Sequence, residues 1–132
     1  MAIQFNTNGL IGSIDIGSSN SEGWRTCHIS VSALGFSAEY DCDIAESEWR
    51  SLLNDLETAY QNLGQNYIIE FRALEHGVSL KLKLDRRGHI DGSYEFARDW
   101  RGPRLSGSFS ADQTHLVAWS EELKAALNNE SA

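Results

Sequence analysis

Four histidines, two cysteines and a set of carboxylates on strand-like segments are the side chains of this sequence that could carry chemistry. His28, His76, His89 and His115 do not fall at metal-ligand spacing, either with one another or with Cys27 and Cys42. A nucleophile built from Cys42 and His28 needs both side chains on one face, and the strand periodicity puts them on opposite faces. Asp91 and Glu95, with Glu70 as a third, have the residue types of a paired-carboxylate glycosidase. Charges alternating along an exposed strand account for them more simply. The nucleophile elbow, the zinc-protease helix, the P-loop and the dinucleotide-binding glycine pattern are all absent. The expectation is a protein with no catalytic residue, no metal and no cofactor, one that binds rather than catalyses.

Period-two alternation organises most of the chain. Leu10, Ile14 and Ile16 mark a first strand. Cys27, Ile29 and Val31 mark a second over Trp24–Ser32, and Phe36, Ala38, Tyr40, Cys42 and Ile44 face inward on a third. A two-residue turn at Leu34-Gly35 would set Cys27 opposite Cys42 on the core face and His28 opposite Asp41 on the outer face. Cα atoms roughly 5.5 Å apart would permit a disulfide, but an intracellular setting favours two free thiols. Trp49, Leu52, Leu53, Leu56, Tyr60 and Leu63 recur at helical spacing, predicting a helix over Ser47–Leu63 capped by Ser47 and stopped by Gly64. Strands follow at Tyr67–Ala73, Val78–Leu84, His89–Arg98 and Leu105–Ser110, with Asp85-Arg86-Arg87-Gly88 as a hairpin turn. A last helix spans Thr114–Leu127, with Ser110, Asp112 and Thr114 competing as caps, and the tail beyond it is expected to fray. Strands, helix, strands, helix is not the alternation of a parallel α/β fold. The predicted fold is α+β: a single mostly antiparallel, twisted β-sheet with two helices packed on its apolar face, in one domain of 132 residues.

Hydrophobic residues at 41% and charged residues at 23% describe an ordinary globular chain. The N-terminus lacks a basic segment followed by a long apolar one, so the expected compartment is the cytoplasm, and no apolar run reaches membrane length. The net charge is -8, and residues 1–70 carry ten acids against Arg25 and Arg50. Such a field repels nucleic acid and attracts a basic protein. Glu39, Asp41, Asp43, Glu46 and Glu48 are therefore the first candidates for a partner-binding surface. Trp100 with Arg98, Arg101 and Arg104 forms a second candidate contact, although the tryptophan could equally plug the end of the sheet beneath the arginine stems.

The run DWRGPRLSGSFSADQTHL, Asp99 to Leu116, packs Trp, Pro, Gly and capping residues closely. Its end, Gly107-Ser108-Phe109 followed by Asp112-Gln113-Thr114-His115-Leu116, resembles the WapI-type immunity family. That family ends in a Phe-x-x-Asp-Gln-(Ser/Thr)-aromatic-Leu step opening a helix; here His115 takes the aromatic position. Arg87-Gly88-His89-Ile90 is similar to a strand start in the uncharacterised bacterial family DUF6228. The resemblance implies a non-enzymatic partner of a cognate toxin domain, blocking it by occlusion, and the acidity suits a basic toxin. Two rival readings remain open. One is a small-ligand or enzyme domain with a pocket lined by Tyr94, Arg98, Asp112 and His115. The other is a module that self-associates weakly through an exposed edge strand.

Overall fold

The structure is a computed structural model that describes residues 1–73, 77–99 and 101–128. Its elements are β1 (Ala2–Thr7), β2 (Leu10–Ser19), β3 (Trp24–Ala33), β4 (Phe36–Ala45), α1 (Glu46–Gln61), β5 (Tyr67–Ala73), β6 (Val78–Leu84), β7 (His89–Ala97), β8 (Arg104–Asp112) and α2 (Gln113–Asn128). Every neighbouring pair of strands is antiparallel. The expectation of one sheet is corrected: there are two, ordered β1-β2-β3-β4 and β5-β6-β7-β8. The break falls at α1, whose sixteen residues carry the chain roughly 24 Å away from the β4 edge before β5 begins. Strand periodicity reports which side chains face inward; it does not report which strands share a sheet.

The sheets meet at a corner. β8 runs past the end of the first sheet that holds its two tight turns. Leu105 lies near Phe36–Tyr40 of β4, and Ser110 N–H donates to Asn8 C=O at 2.9 Å in an isolated bridge. The inner faces of both sheets and the apolar stripes of both helices close over one core. α1 lies against α2 and β5, and α2 against β1.

The β3–β4 hairpin forms as the sequence predicts. Leu34 and Gly35 both take positive φ, 50° and 89°, the conformation of the two-residue turn whose twist matches its strands. The register follows along the whole ladder, from Ala33↔Phe36 to Trp24↔Ala45. In the β6–β7 turn, Asp85 accepts from the N–H groups of Arg87 and His89 at 2.8 and 3.0 Å, and Gly88 takes φ 82°. α1 begins one residue before the expected Ser47, after Ala45, with no side-chain cap. Tyr60 and Leu63, expected on its buried stripe, are exposed, and Ala59 completes the stripe instead. α2 settles its three-way competition for a cap: Asp112 accepts the N–H of Thr114 at 3.0 Å.

The glycine-rich step of β7–β8 has a packing reason. Gly92 pairs with Phe109 and Tyr94 with Gly107 across the ladder. The Phe109 ring lies where a Gly92 side chain would be, since a Cβ there would come within 2.2 Å of it. That ring also meets Tyr94 and the edge of Trp119, with centroids 6.2 Å apart in each case. Gly92→Ala is expected to cost about 1–3 kcal/mol through overpacking, read as a lower urea midpoint; an unchanged midpoint would contradict the packing account. One strand, β1, escaped the sequence reading, although Ile3 and Phe5 alternate ahead of an Asn8-Gly9 turn.

Candidate functional site

The outer face of the first sheet is acidic and organised. His28 and Asp41 form a non-hydrogen-bonded cross-strand pair, where side chains stand closest. Asp41 lies 2.5 Å from His28 Nδ1, and Glu39 lies 3.1 Å from Nε2. Asp43 accepts from the Thr26 hydroxyl at 2.9 Å, and Asp15 of β2 stands in register with His28 from the other side. Glu39, Asp41, Asp43 and Asp15 are all exposed. Among β1–β4 the one Lys or Arg is Arg25, and it is fully buried. The cationic groups that reach this face are His28 and the N-terminal ammonium of Met1, which pairs with Asp15 at 3.1 Å.

Hydrogen bonds that His28 donates to Asp41 and then Glu39 raise its pKa above the ordinary 6.5. A raised pKa means that the ion pairs contribute fully below pH 6.5 and are lost as pH rises through the folded-state value. An NMR titration of His28 is expected to show a midpoint above 6.5 that falls in Asp41→Asn. Titration at or below 6.5 would contradict the geometry.

Glu46 does not join this face. Its carboxylate turns inward and accepts from Arg25 Nε and NH2 through one oxygen, at 2.7 and 2.5 Å, while Arg50 Nε reaches its other oxygen at 3.5 Å. Arg25 uses all five of its N–H donors. The remaining ones go to the carbonyls of Gly17 at 2.9 Å, Ala126 at 3.4 Å and Leu127 at 3.1 Å. Gly17 sits in the register shift of β2, where the ladder leaves its carbonyl available. One guanidinium therefore ties β2, β3, the N-terminus of α1 and the C-terminus of α2. It supplies positive charge at the negative end of α2, which has no basic residue in its last turn. Arg25 lies at the inward parity of its strand with Cys27 and Ile29, and that parity was the available signal for a buried arginine. Glu48 is half-buried on the first turn of α1.

The second candidate contact is partly outside the described residues, since Trp100 lies there, as do His76 and the tail beyond Asn128. Arg98, Arg101 and Arg104 are exposed, and Arg104 pairs with Glu95 at 2.9 Å. Asp99 builds the turn before β8 by accepting from the N–H groups of Arg101 and Gly102 at 2.9 and 2.7 Å.

The other chemical candidates separate. Asp91 and Glu95 share a face but lie four residues apart on one strand, roughly 13 Å, beyond the 5–9.5 Å of glycosidase carboxylates. Glu70 pairs with Arg72 at 3.1 Å and Lys81 at 3.7 Å. The pocket imagined from Tyr94, Arg98, Asp112 and His115 does not assemble. Asp112 pairs with His89 at one end of β7, whereas Arg98 follows Ala97 at the other. Tyr94 is buried and donates to Gly9 C=O at 3.2 Å, and His115 instead approaches Asp112 at 3.1 Å and Asn6 C=O at 3.3 Å. Where the sheets and helices converge, the space left among Ile3, Phe5, Leu52, Leu56, Leu80, Leu82 and Trp119 is about 20 Å³, too small for a ligand. No group of three His, Cys, Asp or Glu among the described residues could hold a metal ion, and no described helix is long and apolar enough to cross a membrane.

Cys27 and Cys42 face each other as free thiols. Burial, more than any neighbouring charge, pushes each pKa up to about 12. Such thiols are poor nucleophiles. Native protein is expected to react only slowly with a thiol reagent, whereas denatured, unreduced protein should release two equivalents. Fewer than two would reveal a disulfide.

The fold is that of a small α+β domain, and one outer sheet face carries a row of exposed carboxylates. The chain belongs to the WapI-like immunity protein family, which it matches over residues 4–130. It matches no curated protein.

Proposed function

We propose that this chain neutralises a cognate toxin domain by binding it in the cytoplasm, without catalysis, through the outer face of the first sheet. Glu39, Asp41 and Asp43 are the contact groups; Glu48 adds negative charge on the helix turn that continues β4, whereas the charge of Glu46 is taken up by Arg25 and Arg50. The observation that carries this reading is charge segregation. The outer face of the first sheet holds four carboxylates and no lysine or arginine, whereas that of the second pairs Glu70 with Arg72 and Lys81, and Glu95 with Arg104. An unbalanced field accelerates encounter with an oppositely charged partner; a self-paired one does not. A protein partner is what membership of an immunity family leads one to expect, and a basic toxin is what this face fits.

The test is to sequence the genes flanking this one and to co-express the chain with a toxin domain found there; flanking genes that encode no toxin would count against the function. Cells carrying both should survive, and cells carrying the toxin with a Glu39→Lys, Asp41→Lys, Asp43→Lys variant should lose much of that protection. Equal killing with and without the native chain would sink the function. Full protection by a folded variant would sink the choice of surface.

A further inference from the structure

The edge of β4 gives the acidic face a direction. The two-residue turn makes Ala33 and Phe36 a hydrogen-bonded pair, and bonded and non-bonded pairs then alternate along the ladder. The backbone groups of Phe36, Ala38, Tyr40 and Cys42 therefore bond to β3, while those of Ser37, Glu39, Asp41 and Asp43 point away from the sheet. β4 is the last strand of its sheet, and these outward groups make no hydrogen bond among the described residues. The same alternation on β1 turns Gln4 and Asn6 outward, and there the edge is closed. Gln4 N–H donates to Glu122 and Gln4 C=O accepts from the Trp119 indole, each at 2.9 Å, while Asn6 C=O lies 3.3 Å from His115 Nε2. Among the described residues, one edge of the sheet is covered by α2 and the other is open.

The open edge has a chemical pattern on each side. On the outer side stand the carboxylates of Glu39, Asp41 and Asp43. On the inner side, Phe36, Ala38 and Tyr40 line a shallow groove of about 320 Å³ with Phe96, Pro103 and Leu105, and Arg98 and Arg104 stand at its wall; Phe36 is 71% exposed. We infer that β4 takes up an extended segment of a partner protein as a fifth strand, and that this segment alternates lysine or arginine with apolar residues. Main-chain bonds would give the affinity, and the two rows of side chains the specificity. A strand residue directly opposite Glu39 or Asp41 places its side chain on the same outer face, which calls for a cation there. A second copy of this chain is a poor occupant, because antiparallel pairing of two β4 edges sets like carboxylates against one another.

This inference rests on the reading of the acidic face as the contact surface, and its test separates the two. The probe is a heptapeptide alternating Lys and Val, compared with one of the same composition in which the lysines precede the valines. Amide hydrogen exchange of the full chain is followed by NMR. With the alternating peptide at about ten times its Kd, exchange at Glu39 and Asp41 should slow about tenfold, and the block peptide should leave both amides unprotected. Binding of both peptides with no protection of these amides would overturn the added strand and leave the acidic face standing. Failure of both peptides to perturb β4 would count against strand and face alike. Protection that grows with protein concentration in the absence of peptide would put a second copy on the edge and overturn the choice of partner.

Discussion

Arg25→Met should lose about 3–5 kcal/mol of stability, the cost of breaking a buried ion pair from one side. A domain of this size has only about 5–15 kcal/mol in total, so the variant should unfold at far lower denaturant than the parent. The loss is large because the guanidinium is fully buried and spends every donor. Its removal leaves the Glu46 carboxylate without its main partner, the Ala126 carbonyl of α2 without its donor, and the Leu127 carbonyl with only the 3.4 Å contact from Arg50. The double variant Arg25→Met, Glu46→Met should be more stable than Arg25→Met alone, since no uncompensated carboxylate remains. The pH dependence follows from the same contact. The hydrogen bond from Arg25 lowers the Glu46 pKa below its ordinary 4.5. A carboxylate with a depressed folded-state pKa contributes its stabilisation above pH 4.5 and loses it as pH falls through the folded value. The parent should therefore weaken on acidification in that window, and Arg25→Met should show less of this effect. Urea titrations at neutral and acidic pH measure both; a variant as stable as the parent would refute the role assigned to Arg25.

Reversing Glu39, Asp41 and Asp43 to lysine should produce the largest functional effect. The three replacements move the net charge from -8 to -2 and turn a row of carboxylates into a row of cations. Association with a basic toxin domain should slow by about 10–100-fold at low ionic strength, and the salt dependence of the rate should flatten. The fold should survive, because these side chains are exposed and none supports the core. An unchanged circular dichroism spectrum and unfolding midpoint would establish that, so that lost binding reports on the surface and not on unfolding.

Much of this site was legible before the structure. Period-two alternation put Glu39, Asp41 and Asp43 on one side of their strand, and Leu34-Gly35 set the register to the residue. The His28–Asp41 contact then followed from counting back from the turn. Strand direction, side-chain parity and turn geometry are local, so a sequence carries them directly. Three features were not local. The division into two sheets depends on where α1 carries the chain, which alternation along strands does not encode. Glu46 looks like one more surface acid until Arg25, twenty-one residues earlier, is found buried beneath it. The outward amides of β4 matter only because α2 closes the edge of β1 and no described residue closes that of β4. The glycine-rich run before α2 is architecture: Phe109 covers Gly92, Tyr94 covers Gly107, and Asp112 starts the helix.

The most direct test of the central claim compares the two charged surfaces in one rate measurement. Stopped-flow association with the toxin domain that this chain protects against in co-expression would be recorded from low to high salt. The samples are the native chain, the Glu39→Lys, Asp41→Lys, Asp43→Lys variant, and an Arg98→Ser, Arg104→Ser variant. The native rate should fall steeply with salt, the acidic-face variant should be slow and nearly salt-independent, and the arginine variant, which loses two cations beside Glu39, should associate at least as fast as the native chain. A normal rate for the acidic-face variant, with a slow one for the arginine variant, would place the contact on the other surface and contradict the account.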